Sequence, residues 1–538
     1  MRRFLNHLLV TSPAFCLAIS LSIGILMRLH HLEGWLCTGI ILLVSYSLFR
    51  YHRVIRPIAL LSLCAVLGIW RMYFAEKPFS HSYRRSLHSE LCSAELKLII
   101  RQAPLLEGSL LELDAGRGTI TADILAMKLA SDDSFHAVNG CIVLNGDSHE
   151  TRNQLRNLHL GECILAQGTL VPTFPPDPTQ NYYNDYLLSQ GIFHQFEVNT
   201  FEREPPQPLT ALQVIRQNLR RIRIATAESL IRHFRSAENA QLVLALGLGM
   251  SEFIPRETRR RQMISGTIHV FAISGMHIGM VTLMFAFLLR RSGLPLRCQW
   301  YALGGFSTCY VLMTGSSISS IRALLMVWAS LYASFRYRRT AWLNALGCAG
   351  GIALVMNPWQ ILDLGFLYTH LTVLVLLLGA PLVQTHLMLL AERKAWLPRE
   401  LRPRHQIRLT QWFVGGLDAS LLAWLGNLGI SLHLQPQFSW GASLLNLPLG
   451  ILIAIVLALC PLRLLLGAIL PVYDSLWAYL LESVMQLTEA LAESGHHSAF
   501  EYTHPVIPIW AVCVYYIVFF GGLIALFLRY NDISSQES

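Results

Sequence analysis

Charged residues are scarce in this chain: only 14% of its 538 residues are Asp, Glu, Lys or Arg. A soluble globular protein contains about 25%, so the deficit argues against a water-soluble enzyme, a disordered tail protein and a coiled coil. Hydrophobic residues make up 53% of the chain, and the mean hydropathy is +0.44. The 36 Gly and 23 Pro residues exclude one long uninterrupted helix. The remaining interpretation is a polytopic α-helical membrane protein.

Motifs for nucleotide-driven motors and for metal sites are also missing. The sequence has no G-x-x-x-x-G-K-[ST] loop and no His-x-His-x-Asp-His cluster. Its 11 Cys residues show no C-x-x-C spacing, and most lie in apolar runs, where cysteine acts as a small hydrophobe. We therefore expect no metal site and no cofactor. The net charge of +9 mainly reports insertion orientation in such a chain, so it is weak evidence for a nucleic-acid partner.

Three apolar runs open the chain and predict spanning helices: Leu8–Met27, Gly34–Phe49 and Pro57–Ala75. Three arginines separate the second run from the third: Arg50, Arg53 and Arg56. Under the positive-inside rule this loop is cytoplasmic. The chain then leaves the third run on the outer side, and we expect residues 76–238 to be extracytoplasmic.

Alternating rather than continuous hydrophobicity marks the segment after these runs, which predicts short strands. The predicted strands are Glu95–Arg101, Ser109–Leu113, Gly118–Ala126, Asn139–Asn145 and Cys163–Leu170. Five short strands in about a hundred residues suggest a small β-barrel, for which an OB-like barrel is one candidate. Three cysteines lie here, and in an oxidising compartment two could pair. We favour Cys141 with Cys163, although sequence does not settle the pairing.

A basic amphipathic helix is predicted next, over Leu212–Arg235. Its basic face carries Arg216, Arg220 and Arg223. One interpretation is a helix lying on anionic lipid headgroups. The other is a basic rim that attracts phosphate.

Apolar runs return after this helix. They are Gln241–Met250, Ile264–Leu289, Trp300–Gly315, Ile318–Phe335, Trp342–Met356, Ile361–Leu378, Trp412–Leu434, Leu444–Leu470, Ser475–Leu491 and Val506–Leu528. Gln241–Met250 is too short to cross alone and is a candidate re-entrant segment. The predicted domains are N-terminal transmembrane helices (1–75), the extracytoplasmic barrel (76–200), the linker helix (201–240), a polytopic membrane domain (241–528) and a tail (529–538).

Polar residues in the middle of a predicted span single out one segment, in which Ser274 and His277 are three apart and share a helix face. An intramembrane ionisable group is costly and usually faces a cavity or a polar partner. Gly275 and Gly279 form a small-xxx-small pair that would let another helix approach closely. The alternative is that His277 only hydrogen-bonds a neighbouring helix.

A second polar segment breaks the apolar pattern with Gly315, Ser316 and Ser319 and is followed by Arg322. Irregular backbone at membrane depth is tolerated where it is buried in protein or lines water. A guanidinium suits phosphate geometry and keeps its charge. These residues are therefore candidates for a polar passage. The alternative for Arg322 is a side chain that snorkels to the interface.

Two further residues join the candidates. Asp363 lies near the first turn of a predicted helix, as a pore-lining carboxylate or as a simple helix cap. Asn446 precedes Pro448 and could bond to the carbonyl that the proline leaves free, for which a structural role is the favoured interpretation.

Several blocks in the same order resemble the ComEC-type competence family, which internalises DNA. The most specific is Ala272-Ile273-Ser274-Gly275-Met276-His277-Ile278-Gly279, similar to the family's A-I-S-G-[LM]-H-[VI]-G signature. The other matching blocks are Tyr183–Ile192, Thr314–Ala323, Asn344-Ala345, Asn357-Pro358 with Asp363-x-Gly365-Phe366, and Phe438-Ser439 with Asn446-x-Pro448. One departure follows Phe366, where the family usually reads F-Q-L-S and this chain has Leu367-Tyr368-Thr369.

The resemblance implies an inner-membrane channel that passes one DNA strand into the cytoplasm during natural transformation. It implies an OB-like outer domain but not the C-terminal metallo-β-lactamase-like domain of many members, for which the chain has no matching segment, so we expect a channel and not an enzyme. The partners expected are single-stranded DNA, membrane lipid, a periplasmic DNA receptor, a cytoplasmic ATPase and single-stranded-DNA-binding proteins.

Two other functions stay open at this point. A membrane-embedded serine hydrolase would use Ser274 as nucleophile and His277 as base, which requires the two side chains within about 3 Å. A transporter for a smaller anion would use the same broken helices.

Overall fold

The computed structural model describes most of the chain in segments. These are residues 13–29, 64–72, 92–102, 120–129, 134–159, 161–173, 182–205, 211–271, 273–338, 341–392, 404–434, 437–439, 442–469, 471–494, 501–503 and 507–536.

A closed five-stranded barrel forms the first domain after the N-terminal helices. Its strands and helices are β1 (Cys92–Gln102), β2 (Ile120–Leu129), β3 (His136–Gly146), α2 (His149–Arg156), β4 (Cys163–Pro172), α3 (Tyr182–Ser189) and β5 (His194–Glu204). The strand order around the barrel is β1-β2-β3-β5-β4, and β1 pairs with β4 to close it. Neighbouring strands are antiparallel except β3 and β5, which are parallel. The predicted OB-like barrel is confirmed.

Alternation along the strands builds the barrel core. Ala94, Leu96 and Leu98 of β1 are buried, and Glu95 and Lys97 between them are half-buried. Side chains alternate across a strand, so one face of the closed sheet fills the interior. Leu155 and Leu158 belong to the same apolar cluster, so α2 packs against the barrel. This is the pattern that sequence alternation predicted.

The structure differs from the sequence prediction at three places in this domain. Strand β5 was not predicted, and it continues to Glu204, past the expected boundary at residue 200. The predicted strand Ser109–Leu113 lies outside the described residues. Cys141 and Cys163 are both free, on β3 and β4, which β5 separates, so the predicted disulfide is not formed.

Helices make up most of the rest of the described chain. They are α1 (Pro13–Leu29) before the barrel, then α4 (Ala211–Ile231), α5 (Ala237–Leu248), α6 (Arg256–Ile264), α7 (Gly275–Arg290), α8 (Leu296–Met313), α9 (Ile318–Phe335), α10 (Trp342–Met356), α11 (Leu364–Glu392), α12 (Arg404–Leu434), α13 (Ala442–Ile469), α14 (Asp474–Ser494) and α15 (Ile509–Gln536). A short two-stranded sheet pairs β6 (Gln437–Ser439) with β7 (Glu501–Thr503).

Five of the described helices are long and apolar enough to cross a membrane. Their apolar parts are Ile318–Phe335, Leu364–Met388, Arg408–Leu434, Leu444–Leu466 and Ile509–Leu526. Shorter apolar helices cover Cys16–Leu26, Gly275–Arg290 and Trp342–Met356. The chain is therefore a multi-pass membrane protein, as its composition predicted.

The N-terminal runs are described only in part. The first predicted run coincides with α1, the second lies outside the described residues, and of the third only residues 64–72 are described, as a helix. Gly24 of α1 faces the Ala65 backbone, and Gly68 faces the Leu21 backbone, so closely that neither position has space for a Cβ atom. The two helices therefore cross through glycines.

The barrel docks onto the helical domain through α3. Leu188 of α3 is fully buried in one cluster with Ile25, Met72 and Trp359. The Asn357 amide Nδ2 donates a 2.6 Å hydrogen bond to the carbonyl of Ser189 at the end of α3. The conformation of the chain around Asn357 is thereby tied to the barrel.

Candidate functional site

The predicted candidates converge where three helices begin. Helix α7 starts after the cap residue Ser274, α9 after Ser317, and α11 after Asp363. Ser319 Oγ donates a 3.0 Å hydrogen bond to the Ile273 carbonyl, which joins the starts of α7 and α9. Arg322 of α9 reaches the first turn of α11. Because helix N-termini carry partial positive charge and unpaired N–H groups, the region favours an anion.

Ser274 is not in the middle of a span, which corrects the sequence prediction for Ile264–Leu289. That run divides into the end of α6, a 3₁₀ turn over Ile268–Val270, and α7, which starts at Gly275. Ser274 Oγ lies 2.9 Å from His277 Nδ1, and the Ser274 backbone N–H donates to the same nitrogen at 3.2 Å. This reciprocal arrangement is a capping box.

His277 is fully buried. Because Nδ1 accepts the Ser274 N–H, the neutral ring carries its proton on Nε2. The ring also contacts the Val270 backbone in the 3₁₀ turn that precedes α7. His277 therefore ties the start of α7 to this turn.

Arg322 is the largest polar side chain of the site and is only 1% exposed. Its Nη2 donates to the Gly365 carbonyl at 2.8 Å and to Thr369 Oγ1 at 3.1 Å, and its guanidinium lies over the Phe366 ring. The nearest carboxylate oxygen of Asp363 is 3.9 Å from Nη1, which is too far for a hydrogen bond. Nε and Nη1 have no hydrogen-bond partner in the described chain. The Arg322 side chain therefore does not extend to the membrane interface. It is buried, and two of its nitrogen atoms have no acceptor in the described chain.

Asp363 serves α11 as a cap as well as facing Arg322. Its Oδ1 accepts a 3.1 Å hydrogen bond from the Gly365 N–H. Both interpretations of this residue, cap and site carboxylate, are thus compatible with its position.

The turn between α8 and α9 brings Gly315 and Ser316 beside a different arginine. Both residues have positive φ, 86° for Gly315 and 53° for Ser316, so the chain turns sharply here. A Cβ atom on Gly315 would lie 3.0 Å from Arg223 Nη1. Arg223 itself donates from Nε and Nη2 to the Leu248 carbonyl at 3.2 and 2.8 Å, at the end of α5.

The three arginines of the basic rim predicted on α4 therefore have different surroundings. Arg223 is committed to the end of α5, and burial lowers the pKa of its guanidinium. Arg216 is half-buried and close enough to Cys141 of the barrel to interact with it electrostatically. The third member, Arg220, is also half-buried. Together these positions make α4 a connection between barrel and helical domain.

Two glycines do not have the packing role that their spacing predicted. A Cβ atom on Gly275 would make only an ordinary 3.5 Å contact with Ala323, and one on Gly279 would meet nothing within 4 Å. The small-xxx-small pair is therefore not a site of close helix approach. Gly275 is important instead as the first residue of α7, beside the start of α9.

Asn446 lies in the first turns of α13, where its side chain contacts His269. His269 and His277 are near enough to interact electrostatically, which places Asn446 at the edge of the same site. The side chains of Phe438 and Ser439 and the residue Trp440 are outside what the structure describes.

Sequence reasoning missed the basic helix α6, whose sequence is RETRRRQMI. Arg261 points inward and pairs with Glu238 at 2.9 Å and with Glu493. Arg256 and Arg260 are exposed, and neither forms an ion pair with another described residue. The run Arg259-Arg260-Arg261, which ends thirteen residues before Ser274, was the signal that could have identified it.

A second missed feature is a contact between ionisable side chains of two spanning helices. His386 Nδ1 lies 2.7 Å from Asp418 Oδ2 across α11 and α12. Within the described residues no group of three or more His, Cys, Asp or Glu is placed to hold a metal ion.

Comparison with protein families matches residues 246–529, slightly more than half of the chain, to the family described as competence protein. The matched region contains every site residue described above from Ser274 to Asn446. No solved structure matches the chain.

Three curated proteins are similar to parts of the chain. ComE operon protein 3 of Bacillus subtilis (strain 168) is 25% identical over 311 residues, covering 57% of this chain and 36% of that protein. Uncharacterized protein YcaI of Escherichia coli (strain K12) is 30% identical over 131 residues, 23% and 17% of the two chains. Competence protein ComA of Neisseria gonorrhoeae is 32% identical over 108 residues, 19% and 16%. The matched part spans 36% or less of each relative.

Proposed function

Because this chain belongs to the competence protein family, we propose that it is an inner-membrane channel through which single-stranded DNA enters the cytoplasm during natural transformation. The barrel lies on the extracytoplasmic side, as the arginines near the N-terminus predict. The strand passes from the barrel to the region where α7, α9 and α11 begin.

The observation that carries this proposal is the unsatisfied Arg322. A buried guanidinium with two unused donors, Nε and Nη1, is costly unless an acceptor arrives. Phosphate oxygens fit a guanidinium fork, and the surrounding helix N-termini add further N–H donors and positive potential. The Asp363 carboxylate faces this guanidinium, but its oxygen lies 3.9 Å from Arg322 Nη1, which is too far for a hydrogen bond. A backbone phosphate would complete the hydrogen bonding that the resting site leaves open.

The barrel supplies the second requirement for binding a single strand, which is an aromatic surface near positive charge. Tyr183 and Tyr186 of α3 are 44% and 50% exposed, and their rings stack with centroids 6.5 Å apart. Tyr186 is near enough to Asp363 to interact with it electrostatically. Bases stacked on α3 would therefore be delivered beside Arg322.

Other proteins complete the proposed process. The sequence has no nucleotide-hydrolysing loop, so a cytoplasmic ATPase or single-stranded-DNA-binding proteins supply the driving force. A periplasmic DNA receptor presents the strand, and membrane lipid surrounds the spanning helices.

Replacement of Arg322 tests this proposal. Arg322→Ala removes the phosphate-binding group, and we expect transformation to fall by at least a hundredfold while the protein still inserts in the membrane. Arg322→Lys keeps the charge but loses the fork, and we expect partial activity. Arg338→Ala, at an exposed position, is the matched control. Normal transformation by an Arg322→Ala protein present at wild-type level would overturn the proposal.

A serine hydrolase is the second candidate, because Ser274 and His277 have the required 2.9 Å contact. The capping box already accounts for this contact, and no described carboxylate bonds to His277 Nε2 to orient the ring. Labelling by a serine-directed probe that disappears in Ser274→Ala would favour the hydrolase. Uptake of small labelled anions instead of labelled DNA would favour an anion transporter.

A further inference from the structure

We propose that the seam between α11 and α12 is the closed continuation of the passage, with the His386–Asp418 pair at its far end. The inference rests on the channel function proposed above. It assigns a route from the Arg322 site to the opposite side of the membrane.

Polar contacts connect the site to the end of this seam that lies nearest Arg322. Thr369, which accepts a hydrogen bond from Arg322, is followed along the helix by Thr372, whose Oγ1 accepts a 2.8 Å hydrogen bond from Asn427 Nδ2. Tyr368 and Ser431 are joined by a 3.2 Å hydrogen bond between their hydroxyls. The Asn427 Oδ1 atom is buried without a partner in the described chain. This end of the seam therefore has unused capacity to bind water or a polar ligand.

The far end carries two ionisable side chains, for which lipid alone would be a poor neighbour. The Asp418 side chain is 24% exposed and that of His386 is 50% exposed. His386 lies two residues before the end of the apolar part of α11, Leu364–Met388, so the pair lies at the end of the seam opposite Arg322. Ionisable side chains within spanning helices usually face a water-filled cavity or a polar partner. The pair therefore marks a hydrated entrance from the side opposite the barrel.

An apolar constriction separates the two polar ends. Val375 is buried, and it packs so closely on Gly426 that a Cβ atom there would lie 2.8 Å away. Leu422 packs equally closely on Gly379. Pro381, just beyond, cannot donate to the Leu377 carbonyl, so α11 is weakened where it would have to bend. Narrow apolar constrictions close aqueous pores by excluding water.

From Tyr368 to His386 the helix rises about 27 Å, close to the thickness of the hydrocarbon core at about 30 Å. Polar groups at both ends with a dry middle are the arrangement of a closed gate. The alternative is that the same hydrogen bonds only hold two spanning helices together. That alternative requires no access of water from either side.

Cysteine accessibility in membrane vesicles distinguishes a closed passage from a seam that only holds two helices together. In the full chain with its eleven native cysteines replaced by serine, a membrane-impermeant thiol reagent should label Thr372→Cys from the barrel side only. It should label His386→Cys from the opposite side only. Leu421→Cys, exposed on α12 near Asp418, is the matched control, and both seam positions should react at least tenfold faster. Labelling no faster than the control at both positions would overturn the inference.

Widening the constriction sharpens the test. Leu422→Ala removes the side chain that packs on Gly379, and Thr372→Cys in that background should become reactive from both sides. Continued one-sided labelling would place the gate elsewhere and contradict the assignment. Single-stranded DNA should slow the labelling of Thr372→Cys. Labelling that DNA leaves unchanged would preserve a hydrated seam but count against the proposed DNA channel, so the two failures are distinguishable.

Discussion

The barrel and the helical domain satisfy their buried polar groups differently. In the barrel, strand pairing around a closed sheet satisfies the backbone, and buried side chains such as Leu96, Ile142 and Phe196 are apolar. The helical domain buries charge, and each buried charge meets the end of a helix. Short helices leave four N–H groups and four carbonyls unpaired at their ends. Broken helices therefore need partners at their ends, some of them charged, that a closed sheet does not need.

Buried charges in the helical domain fall into two kinds. Arg463 uses all three of its donor nitrogens, on Asp474 and on the carbonyls of Leu230 and Arg232 at the end of α4. Glu482 accepts from the backbone N–H groups of Arg235 and Ser236 at the start of α5. The hydrogen-bonding capacity of these two side chains is used, and they hold the end of α4 and the start of α5 in place.

Arg322 is the contrasting case, because two of its nitrogens have no hydrogen bond within the described chain. Its burial is as complete as that of Arg463, at 1% exposed for each. Equal burial with unequal hydrogen bonding distinguishes Arg463, which completes the fold, from Arg322, which we propose to bind a phosphate.

The largest expected effect comes from removing the saturated arginine. Arg463→Ala leaves Asp474 and two carbonyls without their donors, and we expect a loss of about 3–5 kcal/mol in stability. Thermal unfolding of the purified protein and its abundance in the membrane should both decrease sharply. Arg322→Ala should lower them much less. Equal loss for the two variants would remove the distinction between the two kinds of buried arginine.

A smaller effect is expected at the joint between the two regions. Asn357→Ala removes the donor to the Ser189 carbonyl, which is buried with its residue, and should cost about 1–3 kcal/mol at this contact. Hydrogen exchange should rise in α3 and remain unchanged in the barrel strands.

Asn357→Asp is the matched control for that joint. It loses the same donor but keeps the oxygen that accepts the Trp359 N–H, so it should loosen α3 without disturbing the turn. Exchange that rises through the whole barrel would mean that the two regions do not fold as separate units.

The smallest effect concerns the exposed cations of α6. Arg256→Gln with Arg260→Gln should reduce the salt dependence of single-stranded DNA binding by a slope of about 1.4, since each phosphate contact contributes about 0.7. The measurement is affinity against salt for protein in nanodiscs of neutral lipid. Arg290→Gln with Arg338→Gln, equally exposed, is the control and should leave the slope unchanged. A change seen only in anionic lipid would assign α6 to headgroups instead.

The barrel also contains a free cysteine whose thiol is shielded from water. Burial raises the pKa of the Cys141 thiol to about 11. The thiol therefore stays protonated and unreactive near neutral pH. This agrees with its position as a free residue beside Arg101 and Asp123 rather than as half of a disulfide.

Sequence alone determined the class of this protein and its blocks of residues. Low charge and long apolar runs predicted a multi-pass membrane protein, because only continuous hydrophobicity makes a segment stable in lipid. Period-two alternation predicted four of the barrel strands, because one face of each strand must fill the interior. Strand β5 was missed, since its outward half is polar and its signal lies mainly in Phe196 and Val198.

Only the tertiary structure decided how the candidate residues are used. Ser274, Arg322 and Asp363 are far apart along the chain, and nothing in local sequence states that three helices begin at one place. The hydrogen bonding of an arginine also depends on residues that are distant in sequence. Arg223 donates to the carbonyl of Leu248, 25 residues away, whereas Nε and Nη1 of Arg322 have no acceptor in the described chain. Hydrogen-bond satisfaction depends on which helix ends meet in space, and this is a property of the packed fold.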